Sequence, residues 1–554
     1  MNGAQILIES LKRESVEVMF GYPGGQVLQI FDKLYDSSIK FILVRHEQAA
    51  AHAADGYSRA TGKVGVCLAT SGPGATNLTT GIATAYMDSI PMVAITGQVK
   101  SFLIGNDAFQ EADVTGITRP ITKHNFLIKD AKDLARIVRE AFYIASTGRP
   151  GPVLIDIPSD VQTQETDFIW PETVNIRSYK PTLFGHPGQI KKAIKLIAKS
   201  KKPIIYAGGG VIISNASAEL RQFSAAIKAP VTMTLMGLGS FPSNDPLCLG
   251  MLGMHGTAYA NHAIMSADLI IAVGARFDDR VTGKLAAFAP NAQIIHIDID
   301  PSSISKNVKV DIPIVGDVKN VLGQLLEEVK KAGDTSEWLK TIESLKKKHP
   351  LKYEGKEKIS PQYVIESICE ITDSQAILTT EVGQNQMWAA QWYNHIHPRA
   401  FFTSGGLGTM GFGFPAAMGV KVAFPEKTVF DIAGDGSIQM NIQELATCVC
   451  NKINVKVAIL NNGYLGMVRQ WQELFYKKRY SFTTLYNPDF VKVVEAYGGV
   501  GIRVTKKEEV RPAIEKAIAT DNVVFLDFHV EPEENVFPMV PAGEAIDKMI
   551  GGLA

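Results

Sequence analysis

Short runs of Val, Ile and Leu recur along the chain, separated by longer stretches with a helix-like spacing of apolar residues. Such continuous apolar runs are typical of parallel strands that helices bury on both faces. They fall into three sets, at residues 41–44, 64–68, 92–95 and 153–156, then 203–206, 269–273 and 294–298, and finally 376–379, 428–432, 455–460 and 523–527. The pattern predicts an α/β protein with three doubly wound parallel sheets.

Two polar stretches separate the three sets. Residues 163–188 contain several prolines, and residues 346–361 are rich in Lys and bounded by Pro350 and Pro361. This composition is typical of linkers. A chain of 554 residues agrees with three or four domains, at roughly 150 residues each. We predict three domains and a C-terminal arm, at residues 1–175, 185–345, 358–535 and 536–554.

Charge and composition narrow the class of function. The 56 basic and 56 acidic residues balance to a formal net charge of zero, so no electrostatic argument favours nucleic acid or an acidic membrane as the partner. Five cysteines, an odd number in so long a chain, argue against a disulfide framework and for a reducing compartment. No signal peptide or membrane-spanning apolar run is evident. We expect a soluble cytoplasmic enzyme that acts on small molecules.

Two short motifs follow predicted strands of the third set. Gly-Asp-Gly-Ser at 434–437 comes after the strand at 428–432, and Asn-Asn-Gly-Tyr at 461–464 follows the strand at 455–460. Both motifs would face the crevice at the carboxyl edge of the sheet. Alone, the first is more simply a tight turn and the second a loop. The pair at two strand ends favours a Mg²⁺ site with a diphosphate, because Mg²⁺ prefers oxygen ligands and phosphates.

The paired motifs resemble the signature of thiamine diphosphate-dependent enzymes. This resemblance implies that Asp435, Asn462 and the main-chain carbonyl of Tyr464 bind Mg²⁺. Enzymes of this kind also need a glutamate that hydrogen-bonds the aminopyrimidine ring. Glu47 fits, since it follows the apolar run 41–44 and heads an Ala-rich stretch. By itself Glu47 is more simply a first-turn glutamate stabilised by the helix dipole. With the Gly-Asp-Gly motif elsewhere in the chain, the catalytic role is the better interpretation.

Further motifs are spread over all three predicted domains. They read FGYPGG at 20–25, RHEQ at 45–48, TSGPGATN at 70–77, FQE at 109–111, GARFDDRVTG at 274–283, GGLGTMG at 405–411, MVRQW at 467–471 and VFPMVP at 536–541. Together they resemble the acetohydroxyacid synthases, also called acetolactate synthases. The resemblance covers essentially the whole chain. The catabolic members lack FAD and the RFDDR stretch, so its presence here favours the biosynthetic branch.

The resemblance implies a carboligation. Pyruvate loses CO₂, and the remaining hydroxyethyl group joins a second 2-ketoacid. A second pyruvate gives 2-acetolactate, and 2-ketobutyrate gives 2-aceto-2-hydroxybutyrate, both precursors of branched-chain amino acids. The resemblance also implies a homodimer or homotetramer, with Glu47 and Asp435 of each active site coming from different subunits. A small regulatory subunit is implied as a further partner.

The resemblance assigns further residues to the thiamine diphosphate site. It places Gly24 and Gln110 beside Glu47 in the catalytic set. Other implied cofactor contacts are Pro73, Asn77, Gly383, Gln384, Asn385, Met410, Gly436 and Ser437. Met410 would support the bent cofactor, although it could equally fill a gap in the core. Asn385 stands where many members carry His, and Ser159 stands where Lys is common near the substrate channel.

The implied substrate pocket contains Arg276, Phe109, Met467 and Trp471. Arg276 would bind the carboxylate of the second ketoacid, because a guanidinium can pair with it bidentately. The aromatic residues would shape the space for its alkyl tail. Without the resemblance, Trp471 is more simply a core residue and Arg276 a surface ion-pair partner.

The middle domain has a Gly-rich turn after a strand, which is a weak nucleotide signal because the full G-x-G-x-x-G spacing is missing. The resemblance implies FAD in a structural, non-redox role. The implied FAD contacts are Arg149, Gly208, Gly209, Gly210, Gly253, His255, Gly256, Gly274, Arg276, Asp278, Arg280, Asp298 and Asp317. Two other functions stay open at this point: a flavin- and thiamine-dependent pyruvate oxidase, and a catalytically inactive flavin-binding scaffold.

Overall fold

A computed structural model describes residues 1–330, 332–355 and 357–551. The last three residues of the predicted arm 536–554 therefore lie outside the described residues. The described chain contains three sheets of six strands each, and every strand pairing within them is parallel. The predicted α/β class with three parallel sheets is confirmed.

The first sheet has the strand order β2-β1-β3-β4-β6-β5. Its strands are β1 Val18–Gly21, β2 Lys40–Leu43, β3 Gly65–Ala69, β4 Met92–Gln98, β5 His124–Leu127 and β6 Pro152–Pro158. The helices around it are α1 Gly3–Arg13, α2 Leu28–Tyr35, α3 Glu47–Thr61, α4 Pro73–Asn77, α5 Thr79–Asp88, α6 Val114–Thr118, α7 Leu134–Ser146 and α8 Ser159–Thr163.

The second sheet has the order β12-β11-β10-β7-β8-β9. Its strands are β7 Pro203–Ala207, β8 Val231–Met233, β9 Cys248–Met251, β10 Leu269–Val273, β11 Gln293–Asp298 and β12 Ile312–Val315. Its helices are α9 Pro187–Ile197, α10 Gly209–Ile213, α11 Ser217–Ile227, α12 Ala258–Ser266, α13 Asp279–Thr282, α14 Val318–Glu328 and α15 Ser336–Lys348.

The third sheet has the order β14-β13-β15-β16-β18-β17. Its strands are β13 Ile377–Thr380, β14 Phe401–Phe402, β15 Val429–Gly434, β16 Lys456–Asn461, β17 Val500–Val504 and β18 Val524–His529. Its helices are α16 Pro361–Ile371, α17 Gln384–Trp392, α18 Gly413–Ala423, α19 Leu445–Asn451, α20 Gly466–Phe475, α21 Phe490–Ala496 and α22 Val510–Ala519.

The two predicted linkers have different outcomes. Residues 164–186, all of them described, form no helix or strand. The second stretch begins inside α15, because the helix continues to Lys348. The first three lysines, Lys346 to Lys348, therefore form the last turn of a helix, where cations offset the helix dipole. The irregular connection starts only after them.

Each sheet has a point where the strand order reverses. It lies between β1 and β3 in the first sheet, between β7 and β10 in the second, and between β13 and β15 in the third. Open α/β sheets bind ligands in the crevice outside the carboxyl ends of the strands at such a point. The topology thus offers three candidate sites, one in each domain.

Helix α3 joins the first domain to the third by packing against α18. A Cβ on Gly56 would overlap the backbone of Ala416, and a Cβ on Gly419 would overlap the backbone of Ala53. These glycines allow the two helices to approach closely. Buried residues of both domains consequently form one apolar cluster.

The C-terminal arm connects the third domain to the middle one. The side-chain amide of Gln470 exchanges two hydrogen bonds with the backbone of Val536, at 3.0 and 2.9 Å. Further along, the amide of Val540 donates to the carbonyl of Met254 at 2.9 Å. In the part of the chain that the structure describes, no helix combines the length and the apolar character needed to cross a membrane.

Candidate active site

The carboxyl ends of β1, β2 and β3 bring a predicted catalytic cluster together. Glu47 is the first residue of α3, is partly buried, and accepts a hydrogen bond from the side-chain amide of Asn77 at 2.9 Å. A Cβ on Gly74 would lie 3.3 Å from Oε1 of Glu47. Gly24 is so close to Thr70 that any Cβ would overlap its side chain. Glycines thus allow the backbone to pack closely around Thr70 and the Glu47 carboxylate at this edge of the sheet.

Gln110 and Phe109 border this cluster on an exposed loop. Gln110 has a left-handed backbone, with φ +58°, and its carbonyl oxygen lies 2.8 Å from the position of a Cβ on Gly72. Phe109 is 86% exposed, and Pro73 is also exposed.

The predicted metal residues meet at the switch point of the third sheet. Asp435 follows β15, and its Oδ2 accepts hydrogen bonds from the backbone amide of Gly463 at 3.0 Å and from Asn487 at 2.6 Å. Asn462 follows β16, and its Oδ1 accepts from the backbone amide of Tyr464 at 3.0 Å. The loop after β16 thus folds around the Asp435 carboxylate.

Burial raises the pKa of Asp435 to about 6, since desolvation disfavours its charged form. Within the described residues no group of three or more His, Cys, Asp or Glu side chains is placed to hold a metal ion. The site at Asp435 is of a different kind, because it offers one carboxylate beside amide and carbonyl oxygens.

The predicted diphosphate residues surround the same strand ends. Gln384 accepts a hydrogen bond from the Asn462 side chain at 3.2 Å. The Asn385 amide donates to the carbonyls of Glu381 and Ile432, at 2.9 and 2.8 Å, and so ties the end of β13 to β15. Ser437 hydrogen-bonds the backbone of Gly434.

Met410 lies close to the predicted diphosphate residues. A Cβ on Gly436 would come within 3.9 Å of the Met410 methyl group. Gly383 has φ +152°, a conformation that favours glycine. The structure therefore brings all the predicted third-domain cofactor residues to one edge of one sheet. Within the described residues, however, no hydrogen bond joins Glu47 to any of them.

The middle-domain glycines pack mainly against each other. A Cβ on Gly210 would lie 2.7 Å from Cα of Gly274, and a Cβ on Gly208 would overlap the Gly274 carbonyl. Gly253 has φ +110°, and a Cβ on it would overlap the Arg280 carbonyl. A Cβ on Gly256 would overlap the backbone of Gly253. Close backbone approach at the switch point explains these residues. Gly209 instead faces Met236.

The predicted cations of the middle site differ in their surroundings. Arg149 of the first domain donates to Ser89 at 2.8 Å and pairs with Asp300 at 3.2 Å. Arg276 is partly buried and forms no ion pair among the described residues. Arg280 is exposed and lies 3.7 Å from Asp279.

Two of the three predicted acids cap helices. Asp278 caps α13, and Asp317 caps α14 while it accepts from Ser214 at 2.7 Å. Burial raises the pKa of Asp298 to about 6 and also raises the pKa of Asp278. His255 is buried, which lowers its pKa to about 4, and its Nδ1 lies 3.2 Å from the Pro538 carbonyl of the arm.

Two predicted substrate residues share a helix. Met467 and Trp471 are one turn apart on α20, and both are partly buried. Arg276 lies in the middle domain and Phe109 in the first. The four predicted substrate residues therefore come from all three domains.

Sequence reasoning missed two residues that border the site. Thr70 directly follows β3, contacts Gly24 and Gly74, and accepts from the Gln26 amide at 3.2 Å. Its position directly after a strand could have identified it from the sequence. Asn487, which binds the Asp435 carboxylate, lies 52 residues further along the chain. No local pattern marks it.

Comparison with known proteins identifies the fold family. Models of the thiamine pyrophosphate enzymes match most of the chain: the N-terminal TPP-binding domain at residues 1–117, the central domain at 190–325 and the C-terminal TPP-binding domain at 381–528. Thiamine pyrophosphate is another name for thiamine diphosphate. The two outer matches contain the two clusters described above, around Glu47 and Asp435.

Curated relatives narrow the family. The chain is 52% identical to the acetolactate synthase large subunit of Buchnera aphidicola from Schizaphis graminum, over 99% of this chain and 98% of the relative. It is 50% identical to the isozyme 3 large subunit of Escherichia coli, with the same coverage. Identity to the Corynebacterium glutamicum large subunit is 51%, over 98% of this chain and 89% of the relative. The chain belongs to the acetolactate synthase large-subunit family of thiamine diphosphate-dependent enzymes.

Proposed function

We propose that the chain decarboxylates pyruvate and joins the remaining two-carbon unit to a second 2-ketoacid, forming 2-acetolactate or 2-aceto-2-hydroxybutyrate for branched-chain amino-acid biosynthesis. The observation that carries this proposal is the pair of clusters around Glu47 and Asp435. Each lies at the switch point of a sheet within a thiamine diphosphate-binding domain. Bound thiamine diphosphate supplies the electron sink for the bond changes.

The chain's own residues would orient the cofactor and exchange a proton with it. Glu47 would hold a proton at its carboxylate oxygens and exchange it with the aminopyrimidine, a task suited to a carboxylate partly removed from water. Asn77 would keep that carboxylate in place through its 2.9 Å hydrogen bond. Gly24 and Gly74 would leave room for the ring, and Gln110 would lie at the open side of the pocket.

Mg²⁺ fits the third-domain cluster. Asp435, Asn462 and the carbonyl of Tyr464 offer only oxygen atoms, the ligands that Mg²⁺ prefers. Burial raises the pKa of the Asp435 carboxyl and so disfavours its charged form. A bound cation would stabilise the charged form. Gln384, Ser437 and the backbone at Gly436 would then face the diphosphate.

FAD fits the middle domain less completely. The glycines after β7 and β10 are already explained by packing. Arg149 and Arg276 are the cations that support the proposal, because a guanidinium could bind a pyrophosphate. Arg276 follows β10 at the switch point, and Arg149 reaches Asp300 just after β11. Asp298 at the end of β11 is a buried acid at the same edge of the sheet and would accept from a ribose hydroxyl. The flavin would be structural, and the visible absorbance of the purified protein tests its presence.

A homodimer or homotetramer would complete the site. Phe109 is 86% exposed, and Glu47 is not hydrogen-bonded to the Asp435 cluster of its own chain. A second chain could bring its Asp435 cluster to this Glu47. We also infer a small regulatory subunit, because the relatives are named large subunits. Five free cysteines support a reducing, cytoplasmic location.

Product analysis tests the proposal directly. The purified chain is supplied with pyruvate and 2-ketobutyrate, with and without thiamine diphosphate, Mg²⁺ and FAD. We expect acetohydroxy acids whose formation requires thiamine diphosphate and Mg²⁺. Oxygen uptake with acetate or acetyl phosphate as product would instead indicate a pyruvate oxidase. No turnover with all cofactors bound would indicate an inactive scaffold.

Trp471→Leu is expected to reduce the preference for 2-ketobutyrate over pyruvate. A smaller side chain on α20 would remove contacts with the extra methylene, which is worth about tenfold or somewhat more in discrimination. The ratio of the two products, measured with both ketoacids present, reports this change. Tyr476→Leu is a matched control, since Tyr476 follows the same helix but is 64% exposed. An unchanged product ratio in the Trp471 variant would contradict the assignment.

A further inference from the structure

Glu444 reaches from the third domain to the first. It ends a 3-10 helix at Ile442–Glu444 and its side chain is fully buried. Its Oε1 accepts hydrogen bonds from the backbone amides of Arg45 at 2.9 Å and of His46 at 3.1 Å. Its Oε2 accepts from the hydroxyl of Thr447 at 2.6 Å and also from the Arg45 amide at 3.2 Å. The carboxylate thus binds two consecutive backbone amides of another domain.

That loop leads directly into the predicted catalytic residue. His46 is the N-cap of α3, and its ring Nδ1 accepts from the Gln48 amide at 3.2 Å. Glu47 is the next residue and opens the helix. Because Glu444 holds the two amides immediately before Glu47, it sets where α3 begins and how the Glu47 side chain leaves the backbone. No hydrogen bond of Glu444 goes to Glu47 itself.

Burying Glu444 carries an energetic cost. Desolvation raises its pKa to about 7, more than its hydrogen bonds from Thr447, Arg45 and His46 lower it. Apolar residues would form a contact between two domains at a lower free-energy cost than a buried carboxylate. The arrangement is therefore better explained by a need to fix the Arg45–His46 backbone than by a need for adhesion between domains.

We propose that Glu444 is a positioning residue for proton transfer by Glu47, acting through the hydrogen bonds of its Oε1 to the Arg45 and His46 amides. The inference rests on the proposed function of Glu47. It predicts that the position of the Glu444 acceptor oxygen affects the rate of proton transfer more than its negative charge does. This distinguishes positioning from a general electrostatic or packing role.

Two substitutions separate reach from charge. Glu444→Asp keeps the charge but withdraws the oxygen from the loop by one methylene. Glu444→Gln loses the charge but keeps an oxygen at the Oε1 position, and its amide can donate to the Thr447 hydroxyl. We expect deuterium exchange at C2 of bound thiamine diphosphate to slow about tenfold to hundredfold in Glu444→Asp, since a misplaced catalytic group loses rate steeply. We expect Glu444→Gln to stay within about threefold of the parent.

The experiment uses the full chain with thiamine diphosphate, Mg²⁺ and FAD, and measures cofactor affinity alongside exchange. Thr447→Val is the matched control, because it removes the hydrogen bonds of the Thr447 hydroxyl to Glu444 and to the Leu43 carbonyl but keeps the acceptor for the Arg45 and His46 amides. It should exchange at the parent rate. Equal rates in all variants would overturn the proposal, as would a Gln variant slower than the Asp variant. A parent chain that makes no acetolactate would instead overturn the proposed function.

Discussion

Replacing Glu47 with alanine is expected to slow deuterium exchange at C2 of bound thiamine diphosphate by about a hundredfold to ten-thousandfold, the usual contribution of a positioned acid or base. Glu47 is the carboxylate at the switch point of the first sheet, where Gly24 and Gly74 pack closely around Thr70. Asn77 donates to it at 2.9 Å. Mg²⁺ binding should be retained, because its proposed ligands lie in the third domain.

Exchange followed by NMR after rapid mixing with D₂O provides the measurement. Glu47→Gln should be nearly as slow as the alanine variant, since an amide keeps the shape but cannot take up the proton. Gln48→Ala is a matched control on the same turn of α3, where its side chain faces His52 at 3.3 Å. Parent-like exchange in both Glu47 variants would remove the residue from the catalytic set.

Buried strands were the predictable part of the fold. All eleven apolar runs named from the sequence coincide with strands, because a strand covered on both faces leaves a continuous run of Val, Ile and Leu. Four of the missed strands lack that signal. β8 and β14 have only three and two residues, and the edge strands β5 and β17 are largely half-buried and mix polar with apolar residues.

The candidate sites were predictable where a residue follows a buried strand. Asp435, Asn462 and Glu47 could be placed in this way, since parallel strands share one carboxyl edge. Glu444 could not, because its partners are backbone amides almost 400 residues earlier in the chain. Such a contact depends on how two domains pack and leaves no periodic pattern in the sequence.

The middle-domain glycines show the limit of motif reading. Gly208, Gly210 and Gly274 were interpreted as flavin contacts, and the structure gives each of them a packing partner within its own domain. Packing and ligand approach both favour glycine, since both require backbone without a Cβ. The glycines alone therefore do not argue for FAD, and the case rests on the two arginines near them.

Replacing Asp435 with asparagine is expected to weaken Mg²⁺ binding, measured in the presence of thiamine diphosphate, by at least about a hundredfold. This exceeds the tenfold to hundredfold cost of losing a residue that only orients a metal ligand. Asparagine keeps the size of the side chain, so the loop after β16 should stay folded. What is removed is the carboxylate charge among the proposed ligands. Titration with Mg²⁺, followed by calorimetry or intrinsic fluorescence, gives the affinity.

The neighbouring asparagines supply a control within one loop. Asn462→Ala removes a proposed ligand, whereas Asn461→Ala removes a side chain that donates to Asp527 at 2.8 Å and accepts from Asn487 at 3.1 Å. Asn487→Ala removes a donor to Asp435 together with hydrogen bonds to Asn461 and Gln439, and should cost about tenfold. If Asp435 and Asn462 bind Mg²⁺, affinity falls most in their variants and least in Asn461→Ala. Equal losses at Asn461 and Asn462 would mean that the loop fold, and not ligation, determines the affinity, and parent-like binding by Asp435→Asn would place the metal elsewhere.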